Sequence, residues 1–137
     1  MTDAQSTLAC AVVAWSPWEW SAGMRAIDSG GHRWRILANV GGHGHHAQGE
    51  GHSGYTSGWE TIADLLGAVP DLTDPPTVGA MLALFRRVKD LPSAYVMPAY
   101  SGIEDCDLWR VTVPRWQPRK RFPTEGEAIA YALLECP

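Results

Sequence analysis

The chain has 137 residues, a formal net charge of −4 and a hydrophobic fraction of 45%. That is room for one domain with a core of its own, without staples. The apolar fraction with a charged fraction of 19% is that of a soluble globular protein and not of a disordered one, and a weakly acidic chain does not read as a general nucleic-acid binder. The three cysteines, Cys10, Cys106 and Cys136, are odd in number and form no C-x-x-C pair. They suit a reducing compartment better than a disulfide framework.

Leu8–Trp15 is an apolar run too short to span a bilayer, and no Lys or Arg precedes it. It is expected to be a core strand or helix of a protein in the bacterial cytoplasm, with no membrane partner. Trp15-Ser16-Pro17-Trp18-Glu19-Trp20 follows, with three of the seven tryptophans of the chain around one proline. Trp15, Trp18 and Trp20 are therefore candidate protein-binding residues, since tryptophan dominates interface hot spots. The alternative is that they plug the core.

Met24–Asp28 and His32–Val40 are two runs separated by Ser29-Gly30-Gly31, the spacing of a hairpin. In the second, Arg33 and Arg35 alternate with Trp34 and Ile36, which predicts one wet and one buried face.

Gly41–Gly54 reads GGHGHHAQGEGHSG. His43, His45, His46 and His52, with Glu50, offer imidazole and carboxylate ligands that zinc or nickel would accept. The segment lacks HExxH and zinc-finger spacings, and its glycines leave it without a preorganised site. The expectation is a flexible Gly/His-rich loop over about 41–57, exposed and without a specific metal or other cofactor.

Ser57-Gly58-Trp59-Glu60 has the form of a capping box ahead of Ile62, Ala63 and Leu66, which predicts a short helix. Asp71-Leu72-Thr73-Asp74-Pro75-Pro76 marks another helix start, with Asp and Thr side chains to supply cap oxygens and proline in the first turn. Behind it Val78, Met81, Leu82, Phe85 and Val88 trace an apolar stripe, with Arg86, Arg87 and Lys89 in the last turn. That helix is placed at about 75–89.

Tyr95–Ala99 and Leu108–Val113 read as strands, joined through an acidic turn containing Glu104, Asp105 and Asp107. Residues 115–122, RWQPRKRF, interleave cations and aromatics between Pro114 and Pro123. Arg115, Arg119, Lys120 and Arg121 are candidate nucleic-acid contacts, able to neutralise phosphates without reading sequence. A solvated loop that tucks Trp116 and Phe122 into the core is the plainer reading. Thr124-Glu125-Gly126-Glu127 is a second capping box, before a stripe of Ile129, Ala132, Leu133 and Cys136.

Two stretches, DLTDPPTVGAMLALFRRV (71–88) and FPTEGEAIAYALL (122–134), resemble a pattern in small proteins of bacteriophages and prophages. There a TDPATLGCLLALVRE-like helix precedes a Trp-containing strand and a closing TEAEALVAALEAA-like helix. This chain departs at Pro76, Val78 and Met81 and in its Gly/His insertion. The resemblance implies an α+β fold and a mobile-element origin, and it brings no catalytic residues.

No G-x-S-x-G, no G-K-[ST] and no assembled nucleophile–base set speaks for an enzyme. The reading is one domain over residues 1–137, of the α+β class. It has a small antiparallel sheet with helices packed on one or both faces, an α-β-α sandwich being one such arrangement. The function expected is that of a non-enzymatic phage- or prophage-type accessory protein that binds a protein partner. A metal-binding protein using the histidines and a weak nucleic-acid binder using residues 115–121 are the alternatives.

Overall fold

A computed structural model describes residues 1–39, 44–50, 60, 61, 65, 67–99 and 108–137. The fold is α+β, with three helices and two antiparallel sheets among the described residues.

Helix α1, Asp3–Ala14, opens on a full capping box: Thr2 accepts from the Gln5 amide while the Gln5 side chain accepts from the Thr2 amide. Most of the apolar run at 8–15 is thereby helical, and Ala9 and Val12 are its buried residues. Strands β1 (Arg25–Ile27) and β2 (Arg33–Asn39) form the expected antiparallel hairpin, with Arg25 opposite Arg35 and Ala26 opposite Trp34. The Asp28 carboxylate ties its turn together, accepting from the amides of Gly30 and His32, both at 2.9 Å, and from the Trp34 indole at 3.0 Å.

His45–Gly49 is strand β3, paired with β2, and Glu60–Thr61 is the two-residue β4 on its far side. The expectation of a loop across 41–57 therefore fails in its middle. Ladder hydrogen bonds to β2 supply the order that the glycine-rich composition does not. The helix expected from Ser57 also fails at Glu60 and Thr61, which are extended. Ser57, Trp59, Ile62, Ala63 and Leu66 lie outside the described residues. Strand β5 (Val69–Pro70) completes the sheet, in the order β4-β3-β2-β1-β5.

Helix α2 runs over Pro75–Val88, with Asp74 as N-cap. Its buried side is Thr77, Val78, Met81, Leu84 and Phe85. Leu82 and Val88, expected in the stripe, sit half-buried and exposed, because the helix turns Leu84 inward instead. The helix ends in a Schellman motif: the Leu91 amide donates to the Arg86 carbonyl at 2.9 Å and Asp90 takes φ 53°.

Strands β6 (Tyr95–Ala99) and β7 (Leu108–Thr112) form the second sheet. Helix α3, Glu125–Glu135, is the centre of the molecule: it packs on α1, α2, β6 and β7. Gly126, Ala128, Ala130 and Ala132 are buried on it and let neighbours approach on several sides. At Gly126 a Cβ would come within 2.0 Å of the Leu72 carbonyl oxygen, so only glycine fits there. One apolar cluster joins Val12, Ile36, Met81, Phe85, Val111, Ile129 and Leu133 across the three helices and both sheets. Among the described residues no helix is long and apolar enough to cross a membrane.

Candidate functional site

Among the described residues the most extensive buried polar assembly lies where α2 begins against the sheet. Arg25 and Arg35 stand opposite each other on β1 and β2. Both donate through Nε to one carboxylate, Glu50, at 2.6 and 2.7 Å. Arg35 also donates to both oxygens of Asp74, at 2.9 and 3.1 Å, and to the Gly23 carbonyl at 2.8 Å. Arg25 reaches Asp74 at 3.2 Å and Asp71 at 3.5 Å. Asp71 and Asp74 are buried. Thr77, fully buried in the first turn of α2, donates to Asp74 at 2.7 Å and accepts from the Arg25 amide at the same distance.

Burial by itself would raise the Asp74 pKa. Hydrogen bonds from Arg35 and Thr77, with the charge of Arg25, outweigh it and hold Asp74 below the usual carboxylate range. The Arg35 pKa is raised, first by its bonds to Asp74. For Arg25 desolvation acts downward, and Glu50 and Asp74 overcome it. Every carboxylate in the cluster faces a guanidinium, so the group is closed on itself. It clamps the N-terminus of α2 to the sheet, and its chemistry is that of a structural latch.

Glu50, a candidate metal ligand by its sequence neighbours, is instead the shared acceptor of two arginines. His45 and His46 are adjacent on β3, so their side chains point to opposite faces of the sheet. His43 and His52 lie outside the described residues. Among the described residues no three His, Cys, Asp or Glu side chains gather as a metal ion would require. Glu104, Asp105 and Asp107 also lie outside them.

The tryptophan segment folds back along the end of α2. The Trp18 amide donates to the Trp15 carbonyl at 2.9 Å, turning the chain. Trp18 and Trp20 then meet edge to face, with centroids 5.3 Å apart. Lys89 lies over the Trp15 ring at 5.8 Å, and Arg87 pairs with Glu19 at 2.5 Å. Trp15, Trp18 and Trp20 are each packed against the core and partly open to solvent. Val88, in the last turn of α2 between Arg87 and Lys89, is 37% exposed. The Trp18 indole N–H is shielded from water and has no acceptor among the described residues. The result is an aromatic ledge with a charged rim.

The basic segment runs from β7 to α3. Val113 and Trp116 form a bridge across the two-residue turn Pro114–Arg115, and Arg115 takes φ 68°. Trp116 stacks on Tyr131 of α3, and Phe122, buried, tilts against the same ring. Arg115, Arg119, Lys120 and Arg121 are all exposed. So the tucking of the aromatics and the solvation of the cations occur together.

A shallow groove between the starts of α2 and α3 is lined by Leu72, Pro75, Val78, Trp109, Thr124 and Glu125. It is bounded by capping residues and offers no cluster of reactive groups.

Sequence reasoning missed the arginine–carboxylate cluster. The alternation of Arg33 and Arg35 was visible, but the acids that draw Arg35 inward are distant in the chain. Comparison with known protein families, proteins and solved structures finds no match.

Proposed function

We propose that this chain is a small non-enzymatic accessory protein, of phage or prophage type, that acts by binding a protein partner at the tryptophan ledge. The observation that supports this is the grouping of half-open Trp15, Trp18 and Trp20 at the end of α2, bordered by the Glu19–Arg87 pair and Lys89, with Val88 between those two cations in the chain and exposed. Rigid aromatic surface at the centre and charge at the rim is the composition of an interface hot spot.

The test is site-specific photocrosslinking in bacterial cells that express the protein. A photoreactive residue at Val88 should give one dominant adduct that the same residue at exposed Arg33 does not give. Trp20→Leu should abolish that adduct while the melting temperature of the purified protein holds. Identical adduct patterns from the two positions, or an adduct indifferent to Trp20→Leu, would sink the proposal.

A further inference from the structure

The basic segment between β7 and α3 lies apart in the chain from the tryptophan ledge. From Leu108 to Pro123 the chain has five basic side chains and no acidic one. Elsewhere most cations are occupied. Arg25 and Arg35 share acidic partners, Arg86 donates to the Ala94 carbonyl, Arg87 pairs with Glu19, and Lys89 donates to the Cys136 carbonyl. Arg115, Arg119 and Arg121 make no ion pair or hydrogen bond among the described residues. Among the described residues Lys120 makes only ring contacts, at 5.4 Å from Phe122 and 5.3 Å from Tyr131. In an acidic protein, four cations on one short stretch with no acidic partner among the described residues mark where a polyanion would sit.

The backbone reinforces this. The turn at Pro114–Arg115 demands positive φ, where glycine would be free of strain and an L side chain is not. Arginine occupies it and is thereby held exposed at the apex, beside Trp116. That ring rests one face on Tyr131, with planes 19° apart, and is itself partly open. Lys120 thus lies over the Tyr131 ring on which Trp116 stacks, and partly open Trp116 is flanked in the chain by exposed Arg115 and Arg119.

We infer that Arg115, Trp116, Arg119, Lys120 and Arg121 form a binding surface for single-stranded nucleic acid. Phosphates would meet the four cations, and an unpaired base would extend the Trp116–Tyr131 stack. Duplex DNA is disfavoured because the segment, broken by Pro114, Pro118 and Pro123, offers no helix or ribbon to a groove. A membrane is disfavoured because the exposed large apolar residues among those described, Met1, Val88 and Tyr95, all lie elsewhere in the chain.

Fluorescence anisotropy with a labelled oligothymidylate of about 20 nucleotides tests it, alongside a duplex of equal length, inorganic polyphosphate and anionic phosphatidylglycerol vesicles. The expected result is salt-sensitive binding to the single strand, stronger than to the duplex or the vesicles. R119A/K120A/R121A should weaken it on the order of tenfold and lower the salt slope by about 2. Trp116→Leu should weaken binding of the oligonucleotide but not of polyphosphate. Trp20→Leu should change neither, which keeps this surface distinct from the tryptophan ledge. Both variants of the basic segment must retain the wild-type thermal transition. Should Trp116→Leu fail to fold, the charge variant and the ranking of ligands still decide. No binding at about 50 mM salt overturns the inference. So do equal binding by the charge variant and polyphosphate or vesicles bound as tightly as the single strand.

Discussion

Arg35 holds Asp74 by two parallel hydrogen bonds, 2.9 and 3.1 Å, across 39 residues of chain. The same Asp74 caps α2 through the Thr77 amide at 3.1 Å. One carboxylate therefore fixes both the start of a helix and its docking on the sheet. Removing it in Asp74→Ala leaves Arg25 and Arg35 facing fewer acids and takes away the cap. The expected loss is about 3–5 kcal/mol, the range for breaking one partner of a buried pair. Asp74→Asn keeps a cap oxygen and should cost less. Urea unfolding followed by circular dichroism measures both, and a ranking with Asp74→Asn as the worse variant would contradict this account.

Acid should destabilise the protein through the same residue. The folded Asp74 carboxyl has a lowered pKa, so the unfolded chain takes up the proton first as pH falls. The stability it confers is complete above the unfolded value of about 3.9 and is lost as pH drops through the folded value. Asp28 acts in the same direction. Burial would raise its pKa, and bonds from Trp34, His32 and Gly30 outweigh that. The urea midpoint should thus be flat from pH 7 to about 5 and fall below that. Asp74→Asn should start from a lower midpoint and fall less steeply. An acid limb as steep as the wild type's would assign the linkage to other groups.

Two glycines in helices should respond in opposite ways to alanine. A Cβ on Gly126 would sit 2.0 Å from the Leu72 carbonyl oxygen, a backbone atom that cannot step aside alone. Gly126→Ala should therefore push α3 off its neighbours and cost about 1–3 kcal/mol. Gly79, inside α2, has open space where its Cβ would go. Gly79→Ala should stabilise by roughly 0.5–1 kcal/mol, by helix propensity and a less disordered unfolded chain. Thermal melts of the pair provide the check, and equal shifts of like sign would refute the packing argument.

What was legible in the sequence is what short-range physics writes there. The helix start at Asp71–Pro76, the cap at Thr124, the hairpin around Asp28 and the two later strands all depend on residues a few positions apart. Even there the detail shifted. Thr124 accepts from the Glu127 amide, but Glu127 takes the Thr124 hydroxyl at 2.8 Å and meets Gln5 of α1 at 3.5 Å. A cap thus became a link between two helices. Long-range partners were not legible. Strand β3 forms because β2 offers it a ladder, and Arg35 turns away from water because Asp74 and Glu50 are brought to it. Leu84 displaced Leu82 on α2 for the same reason, since the apolar phase of a helix with neighbours on several sides is set by those neighbours. Nothing in a single sequence states which neighbours those are.

The C-terminus of α2 gives the last prediction. Leu91 donates to Arg86 and Asp90 to Arg87, the two bonds of a Schellman motif, with Asp90 in the left-handed position at φ 53°. Glycine is the usual residue there, because an L side chain crowds the following carbonyl. Asp90 is exposed and its side chain has no hydrogen bond or ion pair among the described residues. It also places negative charge at the end of the helix that already carries negative partial charge. Asp90→Gly should relieve both and stabilise by roughly 0.5–1 kcal/mol. Asp90→Ala removes the charge but keeps the strained backbone, and should gain less. If Asp90→Ala stabilises as much as Asp90→Gly in urea titrations, charge repulsion at the helix end, and not backbone strain, is what weakens this cap.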